Sequence, residues 1–382
     1  MRIAILVQTF PEPSQTFILR QAQALGSSVW AERLVKGEAV TQDVECLELP
    51  SAGSFFDGRS LAGRCRIAWN AARHGCVDVM PRREERAFRN LLRERGVDVV
   101  LAQFGLSGLR AMRPCRSAGV PLVVHFHGFD LSSLYRRAVY RFSCRRLVAR
   151  AAACVVVSRT QAERLRALGC PDGKISIIPC GVPLREFRES EAVSNQPCRF
   201  VAVGRLVEKK SPLDTIRAFA RCAAECEGVT LRLVGEGPLR AACEALVAEL
   251  GLAERVTFLG EQPNSRVQAE MAASGAFVQH SVTAPNGDEE GWPVAVAEAA
   301  ASALPIVSTR HAGILDQVVH GRSGFLVEEG DWEGMAERMS VLARDPDLRR
   351  GMGRAGRRHM EEHGDLSESI ARLRRTLESV LH

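Results

Sequence analysis

The sequence predicts an α/β protein of two doubly wound, Rossmann-like domains in series, and three observations carry that reading. The chain has 382 residues, more than a single core comfortably serves. Short apolar runs alternate with amphipathic segments of helical period, once in the first half and again in the second, as in mostly parallel sheets covered on both faces. Between the two runs, Pro183 to Pro197 is charged and polar without apolar period and reads as a linker. The expected domains are residues 1–183 and 198–364, with 365–382 a terminal helix packing back on the first domain.

In the first half the strands are expected at 2–7, 97–102, 120–126, 152–157 and 175–178, with helices at 14–25, 82–95, 107–118, 133–150 and 159–168. Val97-Asp98-Val99-Val100-Leu101 and Ala153-Cys154-Val155-Val156-Val157 are nearly continuous apolar runs, as buried parallel strands should be. The alternation restarts at 200–203 and continues at 229–234, 255–259, 276–279 and 305–308, then ends in helical segments near 332–343, 346–362 and 366–381. Open parallel sheets bind ligands beyond the carboxyl ends of their strands. The site is therefore expected in the loops after strands, in a cleft between the two domains.

With 46% hydrophobic and 25% charged residues, the composition is that of a soluble globular protein, and no stretch approaches a membrane span. The apolar start, Ile3 to Val7, is too short for a signal-peptide core and reads as a first strand, so the cytoplasm is the expected compartment. The 12 cysteines include no Cys-x-x-Cys pair. Cys222 and Cys226, one helical turn apart, lack two further ligands nearby, so reduced and mostly buried thiols are expected. Charge is uneven: residues 1–190 carry 29 Lys+Arg against 17 Asp+Glu (+12), and the remainder 22 against 28 (−6). A basic first half suits an anionic partner, such as a membrane surface or a phosphorylated substrate. Drift in an arginine-rich composition would look the same, because only four of the 51 basic residues are lysine.

Three motifs carry chemistry. In the first, a strand ends at Val203, Gly204 permits a sharp exit, and Arg205 stands at the strand's carboxyl edge, where a guanidinium can grip a phosphate bidentately. Ser211-Pro212 reads as an N-cap and first helical residue, which puts Lys210 at a helix N-terminus that already favours anions. Taken alone, the segment could equally be a solvated charged loop. The second motif is Asp288-Glu289-Glu290-Gly291-Trp292-Pro293…Glu298, with Pro293 expected to open an alanine-rich helix. Gly291 and Trp292 would form the turn before it, their amides facing a sugar or diphosphate. Glu290 and Glu298 could accept hydrogen bonds from vicinal hydroxyls at two ends of one elongated ligand, or be a solvated acid and a capping acid. The third is Val123-Val124-His125-Phe126-His127-Gly128-Phe129-Asp130, whose two histidines share one face of a strand end.

Taken in order, His127-Gly128-x-Asp130, Ile178-Pro179-x-Gly181-Val182, Gly204-Arg205-Leu206…Lys210, Gly235-Glu236-Gly237-Pro238 and Glu290-Gly291-x-Pro293…Glu298 resemble the retaining glycosyltransferases of family 4 over almost the whole chain. The most specific mark is the pair of acids separated by seven residues. Phe10-Pro11-x-x-Ser14-x-Thr16-Phe17 and His125 to Asp130 further resemble the branch that assembles bacterial exopolysaccharides such as colanic acid, amylovoran and succinoglycan. The resemblance implies the two-domain GT-B fold and a reaction that moves a hexose from a UDP- or GDP-sugar to a hydroxyl of a sugar acceptor, with no cofactor and no metal required. Arg205 and Lys210 would neutralise the diphosphate, with Gly204, Gly235 and Gly237 lining the donor pocket. Glu298 would hold the ribose, Glu290 and the amides of Gly291, Trp292 and Pro293 the transferred sugar. His127 would approach the sugar's reacting face. The implied catalytic set is His127, Glu290, Arg205 and Lys210. The Gly-Gly that many relatives carry after the first strand is replaced by Phe10-Pro11-Glu12-Pro13, and the later loop His311-Ala312-Gly313-Ile314-Leu315-Asp316 departs from the usual pattern while keeping Gly313.

On the acceptor side the candidates are Ser14 and Asp130, which lie in the motifs that carry the resemblance, and Tyr135, Arg136 and Arg137, which follow them. Residues 135–146 hold both tyrosines and five arginines. As a helix this stretch would be basic and amphipathic, suited to an anionic membrane carrying a lipid-diphosphate-linked sugar, or simply packed by its aromatics. No nucleic-acid partner is expected. Rival functions are a nucleotide-sugar epimerase or hydrolase of the same fold, a glycosyltransferase for a soluble small acceptor, a non-catalytic sugar-nucleotide binder, and an NAD-dependent oxidoreductase. The first lacks a second acid–base motif. The last lacks the third glycine of its fingerprint after Gly235-x-Gly237.

Overall fold

The computed structural model describes residues 1–12, 15–35, 43–49, 65, 69–70, 76, 79–189 and 197–381. The chain divides into two compact units, Met1–Ile178 with Ser369–His382, and Pro179–Glu368.

The first unit is built on a parallel sheet of seven strands in the order β3-β2-β1-β4-β5-β6-β7. These are β1 (Ile3–Phe10), β2 (Ser28–Leu34), β3 (Cys46–Glu48), β4 (Val99–Gln103), β5 (Leu122–His125), β6 (Ala153–Val156) and β7 (Ile175–Ile177). Every residue of β4, β5 and β6 is buried. Buried faces on both sides of the sheet explain why these strands read as continuous apolar runs. Two strands were not expected, β2 and β3. Strand β2 carries Glu32, 5% exposed, whose carboxylate meets Arg110 Nε at 2.6 Å. Arg110, 1% exposed on the helix Gly105–Ala118, also reaches Glu84 at 3.1 Å on the helix Arg82–Glu94. A buried charge inside a strand breaks the apolar pattern by which such strands are found. The terminal helix Leu366–Ser379 lies against β7: Arg372 donates to Ile177 O at 2.5 Å and Thr376 Oγ1 to Ser176 Oγ at 3.4 Å.

The second unit holds a parallel sheet of six strands in the order β10-β9-β8-β11-β12-β13. They are β8 (Arg199–Val203), β9 (Thr230–Val234), β10 (Val256–Gly260), β11 (Ala276–Gln279), β12 (Ile306–Thr309) and β13 (Gly324–Val327). Five were expected; β13 is four residues long and sits among polar neighbours, so it gives little periodic signal. The order reverses between β8 and β11, the crevice where ligands of doubly wound sheets bind. In the first sheet the same reversal lies between β1 and β4. Helices Trp332–Arg344, Pro346–His363 and Leu366–Ser379 lie close to their expected ranges.

Three local expectations are corrected. Ser211 does not cap the helix Pro212–Glu225 with its side chain; its backbone is left-handed (φ 34°) and its hydroxyl donates to Asp214 Oδ2 at 2.6 Å. Lys210 accordingly lies in a separate 3-10 turn, Glu208–Lys210, just before the helix. The helix expected at 133–150 begins at Ala138, and Pro293 is the cap before the helix Val294–Ala301 rather than its first residue.

Candidate functional site

The loops after β8 and β9 interlock on glycine. Gly204 donates its N–H to Val234 O at 2.9 Å and Leu206 to Glu236 O at 2.8 Å. A Cβ on Gly235, whose φ is +130°, would lie 2.1 Å from Gly204 O, and one on Gly237 2.4 Å from Leu206 O. Backbone packs on backbone here, so no side chain fits. A Cβ on Gly204 would sit 2.8 Å from Cδ and Cε of Lys210. Gly204 thereby makes room for the lysine stem to cross the strand end. Arg205 is left exposed beside it, and both line a small cavity of about 20 Å³ with Gly204, Thr215 and Gln279.

Lys210 Nζ stands 2.9 Å from Glu290 Oε1 and donates to Gln279 Oε1 at 3.1 Å. The pair is largely buried, with side chains 15% and 8% exposed. Burial works to raise the Glu290 carboxyl, but Lys210 and then Lys209 outweigh it and hold it down at about 2. Glu290 is thus an anion at any ordinary pH. Lys209 pairs with Asp288 at 3.1 Å, and Val282 N–H donates to Lys209 O at 2.9 Å, so the loop after β8 is tied to the 282–290 loop by both lysines. The helix Val294–Ala301 follows, with Glu298 on it 8% exposed and Trp292 before it 6% exposed. Gly313 is packed so closely that a Cβ would fall 1.7 Å from Gly291 O.

Glu290 is also held through its backbone. Its N–H donates to His311 Nε2 at 3.0 Å, and His311 Nδ1 is 2.5 Å from Glu329 Oε1.

In the first unit, His127 is 6% exposed and enclosed by the rings of Phe17, Phe104 and His125, at centroid distances of 4.6, 4.8 and 4.4 Å. Its Nε2 lies 2.8 Å from Gln103 Oε1, and Gln103 Nε2 donates to Gln21 Oε1 at 2.8 Å. With Gln103 presenting its oxygen, Nε2 carries the proton and Nδ1 is the acceptor. Burial, then the neighbouring His125, hold His127 well below the usual histidine range, and burial drops His125 to about 3. Asp130 is 1% exposed and accepts the His127 N–H at 3.0 Å; burial lifts its carboxyl to about 7 against the pull of that bond. It holds the turn after β5. Tyr135 is half-buried, with the guanidinium carbons of Arg141 and Arg164 at 5.8 and 5.9 Å from its ring centre, whereas Arg136 and Arg137 are exposed. Ser14 lies outside the described residues.

Two family models match this chain: "Glycosyl transferases group 1" over residues 185–359 and "Glycosyltransferase Family 4" over residues 69–186. The chain thus carries a family 4 glycosyltransferase region followed by a glycosyl transferases group 1 region. Among its relatives, WcaL of Salmonella typhimurium, assigned to colanic acid biosynthesis, is 33% identical over 251 residues, 65% of this chain and 62% of that protein. The amylovoran biosynthesis glycosyltransferase AmsK of Erwinia amylovora is 31% identical over 242 residues, 63% of this chain and 60% of its own. The match thus spans about three fifths of the length of these curated relatives. Among solved structures, Anabaena HepE in complex with UDP superposes with a TM-score of 0.79 at 19% identity, covering 99% of this chain and 100% of that one. The fold shared with such structures is GT-B.

Geometry adds residues to the site that the motifs had not singled out. Gln279 and Lys209 brace the charged pair, and Gln103 orients His127. His311 was noted only as part of a loop, and Glu329, inside Val327-Glu328-Glu329-Gly330-Asp331, is indistinguishable in sequence from a solvated turn acid. Among the described residues, no group of three or more His, Cys, Asp or Glu is placed to hold a metal ion. No disulfide is formed, and ten of the twelve cysteines are buried.

Proposed function

We propose that this chain transfers a hexose from a nucleoside-diphosphate sugar to a hydroxyl of a saccharide acceptor in the assembly of an exopolysaccharide or cell-surface polysaccharide. The observation that carries the reading is the charged crevice of the second sheet. There Arg205 stands exposed beside Lys210, whose amine is balanced by Glu290, over glycines that exclude side chains. The occurrence of UDP and UDP-glucose in the HepE complexes supports a nucleotide-sugar in such a fold.

In this reading Arg205 and Lys210 neutralise the diphosphate, which is both anchor and leaving group. The ribose sits on Glu298, and the transferred sugar lies against Glu290 and the 291–293 backbone. His127 offers its unprotonated Nδ1 as an acceptor to a sugar hydroxyl. Transfer proceeds on one face with retention, the departing phosphate oxygen taking the acceptor's proton. Stabilising charge on that phosphate then replaces both a general base and a metal as the main source of rate.

The acceptor is a lipid-diphosphate-linked sugar met at the membrane surface. Supporting this, the basic helix Ala138–Arg150 exposes Val139 (44%) and Phe142 (52%), with Phe129 (45%) nearby in sequence. Apolar side chains flanked by arginines suit an anionic interface. No helix of the described residues is long and apolar enough to cross a membrane. Flotation with anionic vesicles tests the docking: binding should vanish when Arg136, Arg137 and Arg141 become Glu, and binding that survives refutes it.

A panel of UDP- and GDP-hexoses, with membrane-lipid extract or a soluble saccharide as acceptor, tests the reaction. Nucleoside diphosphate released only when acceptor is present supports transfer. Epimer or free sugar formed without acceptor would instead support an epimerase or hydrolase.

A further inference from the structure

The backbone of Glu290 ends on a hydrogen-bonded chain whose direction is fixed. An amide N–H can only donate, so His311 Nε2, 3.0 Å from Glu290 N, must be the unprotonated ring nitrogen. The ring proton is therefore on Nδ1, and it points at Glu329 Oε1, 2.5 Å away. Glu329 is a good acceptor for it. Burial works to raise its carboxyl, but the bonds from His311 and Thr283 outweigh burial and hold it below the usual range. Thr283 donates its N–H to the other oxygen, Oε2, at 2.8 Å.

The turn that carries Glu329 is itself pinned from the sheet. Gly330 N–H donates to His280 Nε2 at 2.9 Å, and His280, directly after β11, is fully buried. Three loops thus converge on one carboxylate: the loop after β11 through Thr283, the loop after β12 through His311, and the loop after β13 that bears Glu329. His311 is 2% exposed, so a Glu290 N–H deprived of its acceptor would have no water to turn to.

We propose that Glu329 and His311 are positioning residues for the transfer reaction: Glu329 fixes the His311 tautomer, and His311 fixes the backbone at Glu290, aiming the Glu290–Lys210 pair at the transferred sugar. This rests on the proposed function for what the pair is aimed at. The arrangement separates two duties. Arg205 and Lys210 approach from the loop after β8, whereas the His311–Glu329 chain reaches the pair through the backbone of Glu290. Its loss should therefore register in turnover more than in hold on the nucleotide.

The test compares His311→Phe, His311→Gln, Glu329→Ala and Glu329→Gln in the full chain. Three readouts are needed: acceptor-dependent transfer, the Kd for UDP and GDP by calorimetry, and the melting temperature. His311→Phe removes the acceptor and should lower kcat by roughly five- to a hundredfold, the cost of one buried unpaired amide, with the nucleoside-diphosphate Kd within about threefold of wild type. Glutamine can place its side-chain oxygen near the Nε2 position, so His311→Gln should recover most of the loss. Glu329→Ala should resemble His311→Phe, and Glu329→Gln should fall between it and wild type. Transfer by His311→Phe within twofold of wild type would overturn the proposal. So would a loss that glutamine does not relieve, or one that falls entirely on nucleotide affinity. A wild-type protein that transfers no hexose would refute the proposed function instead. In that case the long-range ¹H–¹⁵N spectrum of the histidine rings still decides the geometry. It should show a Nδ1–H tautomer with a strongly deshielded proton that disappears in Glu329→Ala. A Nε2–H tautomer at His311 would overturn the strut directly.

Discussion

The two sheets put opposite chemistry at the same topological position. Where β8 and β11 part, the second unit gathers charge: Arg205, the Lys210–Glu290 pair and Lys209 with Asp288. Where β1 and β4 part, the first unit gathers neutral hydrogen-bonding groups, with Gln21, Gln103 and His127 in a row and His125 stacked beside them. The basic excess of the first half thus does not reach its buried polar centre, where burial strips the histidines of charge. Under the proposed function the two divide the labour: one crevice would stabilise a developing negative charge, and the other would present a hydrogen-bond acceptor whose orientation has been set in advance.

Breaking the buried charge cluster around Arg110 in the first unit should have the largest effect. Arg110→Ala leaves Glu32 and Glu84 without their buried partner and should cost about 3–5 kcal/mol of stability, read as a lowered unfolding midpoint. A midpoint close to wild type would mean that the cluster is not sealed from water.

Next come the charged residues of the second unit. Arg205→Ala and Glu290→Gln should each reduce turnover at least about a hundredfold, the scale of losing one preorganised charge-stabilising contact. Turnover within a few-fold of wild type in either variant would mean that the site lies elsewhere.

The contrast is sharpened by pH. For a histidine whose folded pKa lies below its unfolded value, the unfolded chain binds the extra proton, so stability falls as pH drops below the unfolded value. His125, lowered from 6.5 to about 3, should cost roughly 1.4 kcal/mol per pH unit across that window. Glu290 contributes in a lower window: its stabilisation is complete above 4.5 and is lost as pH falls towards about 2. His127, lowered in the same direction as His125, adds to that histidine's loss, whereas Asp130, raised from 3.8 to about 7, opposes it within that window; on balance acid should weaken the first unit before it touches the Lys210–Glu290 pair. A His125→Phe variant should show a flatter loss of stability between pH 6.5 and 4; an unchanged slope would contradict the assignment. The smallest expected effect is that of a chelator, which should leave transfer unchanged; activity lost to EDTA and restored by a divalent ion would refute the metal-free reading.

Much of this architecture was legible because parallel strands buried on both faces write themselves as apolar runs. The exceptions differ in cause. Strand β2 is hidden by Glu32, a charge that makes sense only once Arg110 is seen beside it, and β13 offers only Phe325 to Val327 as an apolar run between polar neighbours. At the site, Gly204, Arg205 and Lys210 stood out because a strand ended beside them, but the reason for the glycine was not legible. It clears a path for the Lys210 stem, a contact between residues six apart around a turn. His311 and Glu329 were invisible for a related reason. Their importance lies in a hydrogen bond to a backbone atom of Glu290, 21 residues from His311 in sequence, and no residue type announces such a bond.

The central claim is that the charged crevice beside β8 holds the diphosphate of a nucleotide-sugar and stabilises it as it leaves. Single-turnover transfer from saturating donor, comparing wild type with Arg205→Ala, tests this most directly. The account predicts a fall of at least about a hundredfold in the chemical step, accompanied by weaker nucleoside-diphosphate binding. An unchanged single-turnover rate, with nucleotide binding also intact, would contradict it.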